Sequence, residues 1–305
     1  MITIFTALYP EAKELIRALS LKKDMTQNHF QVFSDENNQI QIVITGASAI
    51  AAATAVAECS TRREPDSGDF LINYGSCAGR KNIPVGTVSL CNKLTQTVDG
   101  RTFYPDIIYR HPFEEAELYS FPAVQDRESF QQFLDKDAGA GDRRKEILVE
   151  AAAIYQAGNY YYAPHQMLFL KVVTDHGTTQ EPQSAGSGEH FSQIMDRAAE
   201  EVLTFIRQLL TMQEKNSRQE SMQEAFRSQV EEQAKLWQEA LHGSETMKAQ
   251  IRQMILYHSL CEAKEASGKQ TMSGWYREYE QAGPLPGKDK REGKRILEEL
   301  RARVL

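Results

Sequence analysis

The chain opens on ITIFTAL (Ile2–Leu8), a short apolar run rich in β-formers that predicts a buried strand. Pro10 and Glu11 then start an amphipathic helix carrying Leu15, Ile16 and Leu19. Phe30–Phe33 and Ile40–Thr45 predict two strands split by the polar turn DENNQ. Gly46 stops the second, and the Ala-rich run Ile50–Ala57 predicts a tightly packed helix. Phe70–Tyr74 is a buried strand running into GSCAG (Gly75–Gly79), which reads as a glycine-rich turn. Thr87–Cys91 is a further strand, Asp99–Pro112 a polar and aromatic loop, and Leu118–Val124 a short strand. Gln125–Lys145 is polar with an AGAG tract and predicts a loop or weak helix. Helical Glu150–Ala157, the buried strand Met167–Thr174 and a polar loop Gly177–Gly188 follow. A long helix Phe191–Leu210 then places Ile194, Ala198, Val202, Phe205, Ile206 and Leu209 on one face. Strands alternating with helices predict an α/β fold.

After Met212 the pattern is helical only. Ser221–Leu241 carries Met222, Phe226, Val230, Trp237 and Leu241 at helical spacing. Ser244 is a natural N-cap for a second helix with Met247, Ile251 and Ile255. GPLPG (Gly283–Gly287) breaks the pattern before a basic last helix, Lys290–Leu305. The expected organisation is an α/β domain over 1–213 and an all-α extension over 214–305. The extension's apolar stripe serves internal packing or a protein partner. Lys288, Lys290, Arg291, Lys294 and Arg295 form either a solvated face or a contact for an acidic protein or nucleic acid.

Charge sharpens that division. The 305 residues carry a net charge of −7, but 214–305 holds 16 Lys/Arg against 15 Asp/Glu, leaving −8 on the first part. An acidic main body disfavours nonspecific nucleic-acid binding. The four cysteines, Cys59, Cys77, Cys91 and Cys261, show no CxxC spacing, so neither a zinc site nor a disulfide framework is readable. No charged leader or membrane-length apolar stretch precedes the first strand, which predicts a soluble, cytoplasmic protein without membrane contact.

The candidate chemistry is carried by carboxylates. Glu11 follows the first strand, Asp175 ends the apolar run Met167–Thr174, and Glu150 opens a helix. In open α/β sheets ligands bind at strand C-terminal ends, and a carboxylate closing a buried strand is an expensive feature to keep without a task. Each also has an ordinary reading: Glu11 and Glu150 as first-turn helix acids, Asp175 as a loop cap. Cys77 lacks a cationic neighbour in sequence and reads as a packed small residue.

Taken in order, TALYPEAKEL (Thr6–Leu15), TGASAIAAA (Thr45–Ala53), NYGSCAG (Asn73–Gly79) followed by PVG (Pro84–Gly86), VEAAAI (Val149–Ile154) and VVTDHG (Val172–Gly177) resemble the nucleoside phosphorylase/nucleosidase superfamily. The likeness covers roughly the first 210 residues and is strongest to the 5′-methylthioadenosine/S-adenosylhomocysteine nucleosidases. It implies a three-layer domain with a central twisted mixed sheet flanked by helices, and hydrolysis of the N-glycosidic bond of an adenine nucleoside without metal or cofactor. Glu11 then activates water and Asp175 protonates adenine N7. Glu150 grips the ribose hydroxyls, suited to diols because a carboxylate only accepts. Gly46, Ala47, Ser76, Cys77, Val149 and Thr174 line the same cleft. The resemblance also implies a homo-oligomer.

The sequence departs from that family in places. Val149 stands where Met is usual, Leu148 where methylthioadenosine nucleosidases carry a second acid, and Lys171 where Arg is frequent. The stretch between Val124 and Glu150 is short, leaving Phe121, Phe130 or Phe133 as the aromatic wall for the base. The superfamily's phosphorylases place arginines where this chain has Tyr9/Pro10 and Asn73/Tyr74, so water is favoured over phosphate as the acceptor. A protein of this fold that binds nucleosides without turnover, or a phosphate-dependent phosphorylase, are the competing expectations.

Overall fold

Strand β1 (Ile2–Thr6) is buried along its whole length because it runs between two parallel neighbours, β4 (Ile40–Ile44) and β5 (Phe70–Gly79). Such strands carry apolar side chains on both faces. The structure, a computed structural model, describes residues 1–305 except 27–28, 122–127, 129–131, 134–144, 149–150, 178–187, 265–271 and 305; for 145–148, 260–264 and 304 it describes the backbone alone. The chain divides into two compact units, Met1–Asn216 and Ser217–Leu305.

In the first unit β2 (Lys22–Lys23) and β3 (Gln31–Ser34) extend the sheet beyond β4 in antiparallel fashion. On the other side β5 pairs in parallel with β10 (Met167–Asp175), which pairs antiparallel with β6 (Val88–Gln96). β6 pairs with β8 (Glu114–Ser120), β8 with β9 (Lys145–Leu148), and β9 with β5, so these five strands close on themselves. The short β7 (Thr102–Phe103) attaches to β6. Helices cover both faces. On one, α1 (Tyr9–Ala18) and the first part of α4 (Gly188–Ala240) pack over Ile2, Ile4, Ile72, Tyr74, Leu170 and Val172. On the other, α2 (Ala49–Arg62) and α3 (Ala151–Gly158) pack over Phe5, Val43, Leu71, Phe169 and Val173. The expected α/β architecture, a mixed sheet flanked by helices with a helical extension, is what the chain adopts.

Several boundaries differ from expectation. GSCAG is not a turn: β5 continues through it to Gly79, because β10 and β9 pair with its backbone. β6 runs on to Gln96 rather than stopping at Cys91. β8 begins at Glu114, ahead of the predicted Leu118: Glu114 and Glu115 are exposed and Glu117 is half-buried, while Ala116, Leu118 and Ser120 turn inward.

The long helix does not end at Leu210. α4 spans 53 residues with neither Gly nor Pro after Gly188, and residues 214–229 are exposed all round. Nothing in those residues breaks a helix, and their polarity suits a helix turn without packing partners.

The second unit is helical throughout its described residues: the rest of α4, α5 (Glu245–Lys264), α6 (Met272–Gln281) and α7 (Lys290–Val304). Val230, Trp237 and Leu241 are buried in its own core with Ile251, Ile255, Trp275, Ile296 and Leu300. Phe226, expected in the same stripe, is instead 40% exposed. Ser244 accepts from Met247 N at the start of α5. A Cβ on Gly293 would overlap the Leu241 carbonyl oxygen, so only glycine lets α7 approach the end of α4. Among the described residues no helix is long and apolar enough to cross a membrane.

Candidate active site

β4, β1, β5 and β10 are adjacent and parallel, so their C-terminal ends share one edge of the sheet. The chain leaves β1 at Thr6 and turns through Ala7 and Leu8 into α1, whose first turn holds Pro10 and Glu11. That corner folds Glu11 back over the strand ends, where its side chain is 2% exposed. One carboxylate oxygen, Oε2, accepts from Thr6 Oγ1 at 2.8 Å and from Leu8 N at 2.9 Å. The other, Oε1, accepts from Ser76 N at 2.9 Å and Ser76 Oγ at 2.7 Å. A carboxylate offers about four lone-pair sites, and here four donors take them. Gly75 makes this approach possible: a Cβ there would lie 3.2 Å from Glu11 Oε1.

Asp175 reaches the same region through an irregularity. Along β10 and β5 the partners run Val172 to Ser76, Val173 to Cys77, then Asp175 to Ala78, with Thr174 bulged out. Without the bulge, Asp175 would fall on the Cys77 face. With it, Asp175 lies beside Ala78 on the Ser76 face, about 7 Å along the strand from Ser76. Its carboxylate is held locally: Oδ1 accepts from Gly177 N at 2.8 Å, and Oδ2 from Thr174 Oγ1 at 3.1 Å. Thr174 Oγ1 also lies 3.3 Å from the Cys77 carbonyl oxygen, tying the bulge to β5.

The remaining sequence candidates sort as follows. Gly46 follows β4 on this edge, its N–H donating to the Ala7 carbonyl at 3.0 Å, and Ala47 beside it is exposed. Cys77 is buried on the opposite face with Sγ 3.4 Å from the Val172 carbonyl, as a packed residue would be. Val149, Glu150 and Phe130 lie outside the described residues. Phe121 and Phe133 meet edge to face, ring centroids 5.2 Å apart, with Tyr119 the same distance from Phe133.

Lys171 does not point to solvent. It is wholly buried, its Nζ donating to Asn73 Oδ1 at 2.5 Å while Asn73 Nδ2 donates to the Phe5 carbonyl at 3.1 Å. Tyr74 is also wholly buried, and its hydroxyl holds its proton more tightly than usual, first through burial and then through the nearby Glu11 and Asp196 carboxylates. Thr6, Tyr74 and Gly75 were not among the sequence candidates. The period of two along β5, which puts Tyr74, Ser76 and Ala78 on one face, was the available signal. Among the described residues no group of three or more His, Cys, Asp or Glu could hold a metal ion.

No protein-family model matches the chain, and no curated protein matches it. Solved structures do. The chain is similar to Arabidopsis thaliana 5′-methylthioadenosine nucleosidase in its apo form, with TM-score 0.56 and 14% identity over 68% of this chain and 95% of that one. It is similar to the Neisseria meningitidis 5′-methylthioadenosine/S-adenosylhomocysteine nucleosidase in complex with methylthio-immucillin-A, with TM-score 0.53 and 18% identity over 68% and 97%. A Helicobacter pylori futalosine hydrolase mutant aligns with TM-score 0.51 and 11% identity over 69% and 98%. At these identities the shared property is the nucleosidase fold.

Proposed function

We propose that the first unit hydrolyses the N-glycosidic bond of a purine nucleoside, with an adenine nucleoside such as methylthioadenosine or S-adenosylhomocysteine as substrate. The observation that carries the reading is the buried Glu11 carboxylate, fixed by Thr6 at the end of β1, by Leu8 and by Ser76 in the last part of β5. The Thr174 bulge adds a second carboxylate, Asp175, on the same strand face. Two acids at one edge of the sheet suit a reaction with an oxocarbenium-like transition state.

In this reading the ribose lies over Ser76 and Glu11, and the base over Asp175. Protonated Asp175 gives its proton to N7 as the C1′–N9 bond breaks and its electron pair moves into the base. Water adds to C1′ and passes a proton to Glu11. Ser76 releases Glu11 Oε1 to that water, since a hydroxyl donor can rotate away where a backbone N–H cannot. Glu150 holds the ribose hydroxyls.

The saturation of Glu11 and the return of Asp175 onto Gly177 favour one other reading, a nucleoside-binding protein of this fold without turnover. Base release in phosphate-free buffer from methylthioadenosine, S-adenosylhomocysteine, adenosine or inosine is the deciding assay. Free base with free ribose, or its 5′-thio derivative, is the expected result. Strict phosphate dependence with a sugar 1-phosphate product overturns hydrolysis. Binding without release transfers the conclusion to the binding protein.

A further inference from the structure

Tyr74 is among the largest fully buried side chains, yet its hydroxyl has no hydrogen-bond partner among the described residues. The same holds for Oδ1 of Asp196 on α4, an atom shut off from solvent. The two belong to one region. Tyr74 packs in the core cluster that contains Ile194, Met195 and Ala198, the α4 residues around Asp196. The Asp196 carboxylate is also close enough to tighten the hold of Tyr74 on its proton. A phenol both donates and accepts, whereas a carboxylate only accepts. Two buried polar atoms left bare on facing elements would be costly, and internal waters characteristically serve such atoms.

We propose that Tyr74 Oη and Asp196 Oδ1 share one internal water, and that Tyr74, anchored in this way, is a positioning residue for Glu11. The route is short and covalent. Tyr74 immediately precedes Gly75, whose missing side chain admits the Glu11 carboxylate, and Ser76, which supplies two of its four donors. The phenol and the Ser76 side chain share one face of β5, so fixing the ring against α4 fixes the strand segment that grips Glu11. Packing alone asks for phenylalanine here; the hydroxyl is what the water explains.

The catalytic consequence rests on the proposed nucleosidase reading, whereas the water does not. The test is a high-resolution crystal structure of the full chain and of Tyr74→Phe, with steady-state kinetics on methylthioadenosine and thermal midpoints for both. In the unsubstituted protein one water should lie within hydrogen-bond distance of both atoms, and it should be gone from Tyr74→Phe. The variant should lose about tenfold in kcat with KM within about twofold and a thermal midpoint unchanged or raised. Asp196→Asn, which keeps an acceptor, should retain the water, and Asp196→Ala should lose it. Dry packing around Tyr74 Oη in the unsubstituted protein, or full kcat in Tyr74→Phe, overturns the inference. If the unsubstituted protein releases no base, the proposed function fails and the density at Tyr74 alone decides the water.

Discussion

Replacing Glu11 with glutamine tests the clamp and the chemistry at once. The carboxylate accepts four hydrogen bonds, two from hydroxyls (Thr6, Ser76) and two from backbone N–H groups (Leu8, Ser76). The new amide keeps one acceptor oxygen and turns two donors toward the other pair. Whichever way it is set, one hydroxyl can rotate to accept from the amide, but one backbone N–H then faces a donor and cannot turn. The cheaper orientation puts the amide nitrogen toward Leu8, whose own side chain is 43% exposed. Losing one charge-assisted bond and stranding that N–H costs about 1.5–3 kcal/mol. For a unit of this size that lowers the thermal midpoint by about 3–10 °C. In the proposed role of general base, Glu11 should also account for about 10²–10⁴ in kcat. Calorimetry and base-release kinetics on the same preparation read both quantities. A variant as stable as the parent means that the four contacts do not hold the site together. Undiminished turnover would falsify the role given to Glu11.

Further outcomes follow from single contacts. Gly75→Ala sets a Cβ 3.2 Å from Glu11 Oε1, so the carboxylate must retreat by a few tenths of an ångström; kcat/KM should fall about tenfold or more while unfolding barely changes, and equal kinetics refute the close approach. Gly293→Ala drives a Cβ against the Leu241 carbonyl oxygen and should lift α7 from a core that includes Ile296 and Leu300, costing the second unit about 3 kcal/mol in a denaturant titration; an unchanged midpoint refutes the packing. For Asp69, burial alone would raise the carboxyl pKa, but Arg63, the Met1 ammonium and the Asp66 N–H outweigh burial and hold it below its ordinary value. Its folded pKa being depressed, the contribution is present above the unfolded value of about 3.9 and lost as pH falls through the folded one. Thermal midpoints taken downward from pH 5 should therefore drop more steeply in the parent than in Asp69→Asn, and parallel curves refute the pairing.

The sheet's central strands were legible because parallel strands buried on both faces appear as apolar runs, as Ile2–Thr6, Ile40–Ile44 and Met167–Asp175 do. β8 was displaced because it opens on two exposed glutamates and a third, Glu117, interrupts its inward residues, and GSCAG passed for a turn because glycine is ambiguous between a corner and a close-packed strand. The break expected near Leu210 failed for a different reason. The apolar stripe of α4 ends there, but a stripe reports packing, whereas the backbone continues until something stops it. Helix length and helix burial are separate properties, and the exposed residues 214–229 separate them.

The candidate site divides along a similar line. Glu11, Ser76 and Asp175 were readable one at a time, because each closes or follows a buried run. What relates them was not readable, since it lies in registers between strands distant in sequence. A plain period of two along β10 sends Asp175 to the Cys77 face, away from Ser76 and Glu11. One extra residue at Thr174 reverses that outcome, and no local pattern in LKVVTDHG announces it. The bulge is therefore the more informative target than either acid. Deleting Thr174 restores a regular ladder in which Asp175 follows Val173 directly and still pairs with Ala78, so the acid keeps the Ser76 face and loses only the Thr174 hydroxyl, while Glu11 keeps Thr6, Leu8 and Ser76. If the two carboxylates act on one bond, that deletion should keep base release, lowered by loss of the orienting hydroxyl, whereas Asp175→Ala should abolish it with nucleoside binding through Glu11 and Ser76 reduced rather than lost. A deletion variant that folds, binds nucleoside and is as inactive as Asp175→Ala would mean that sharing a face with Glu11 is not what the reaction requires.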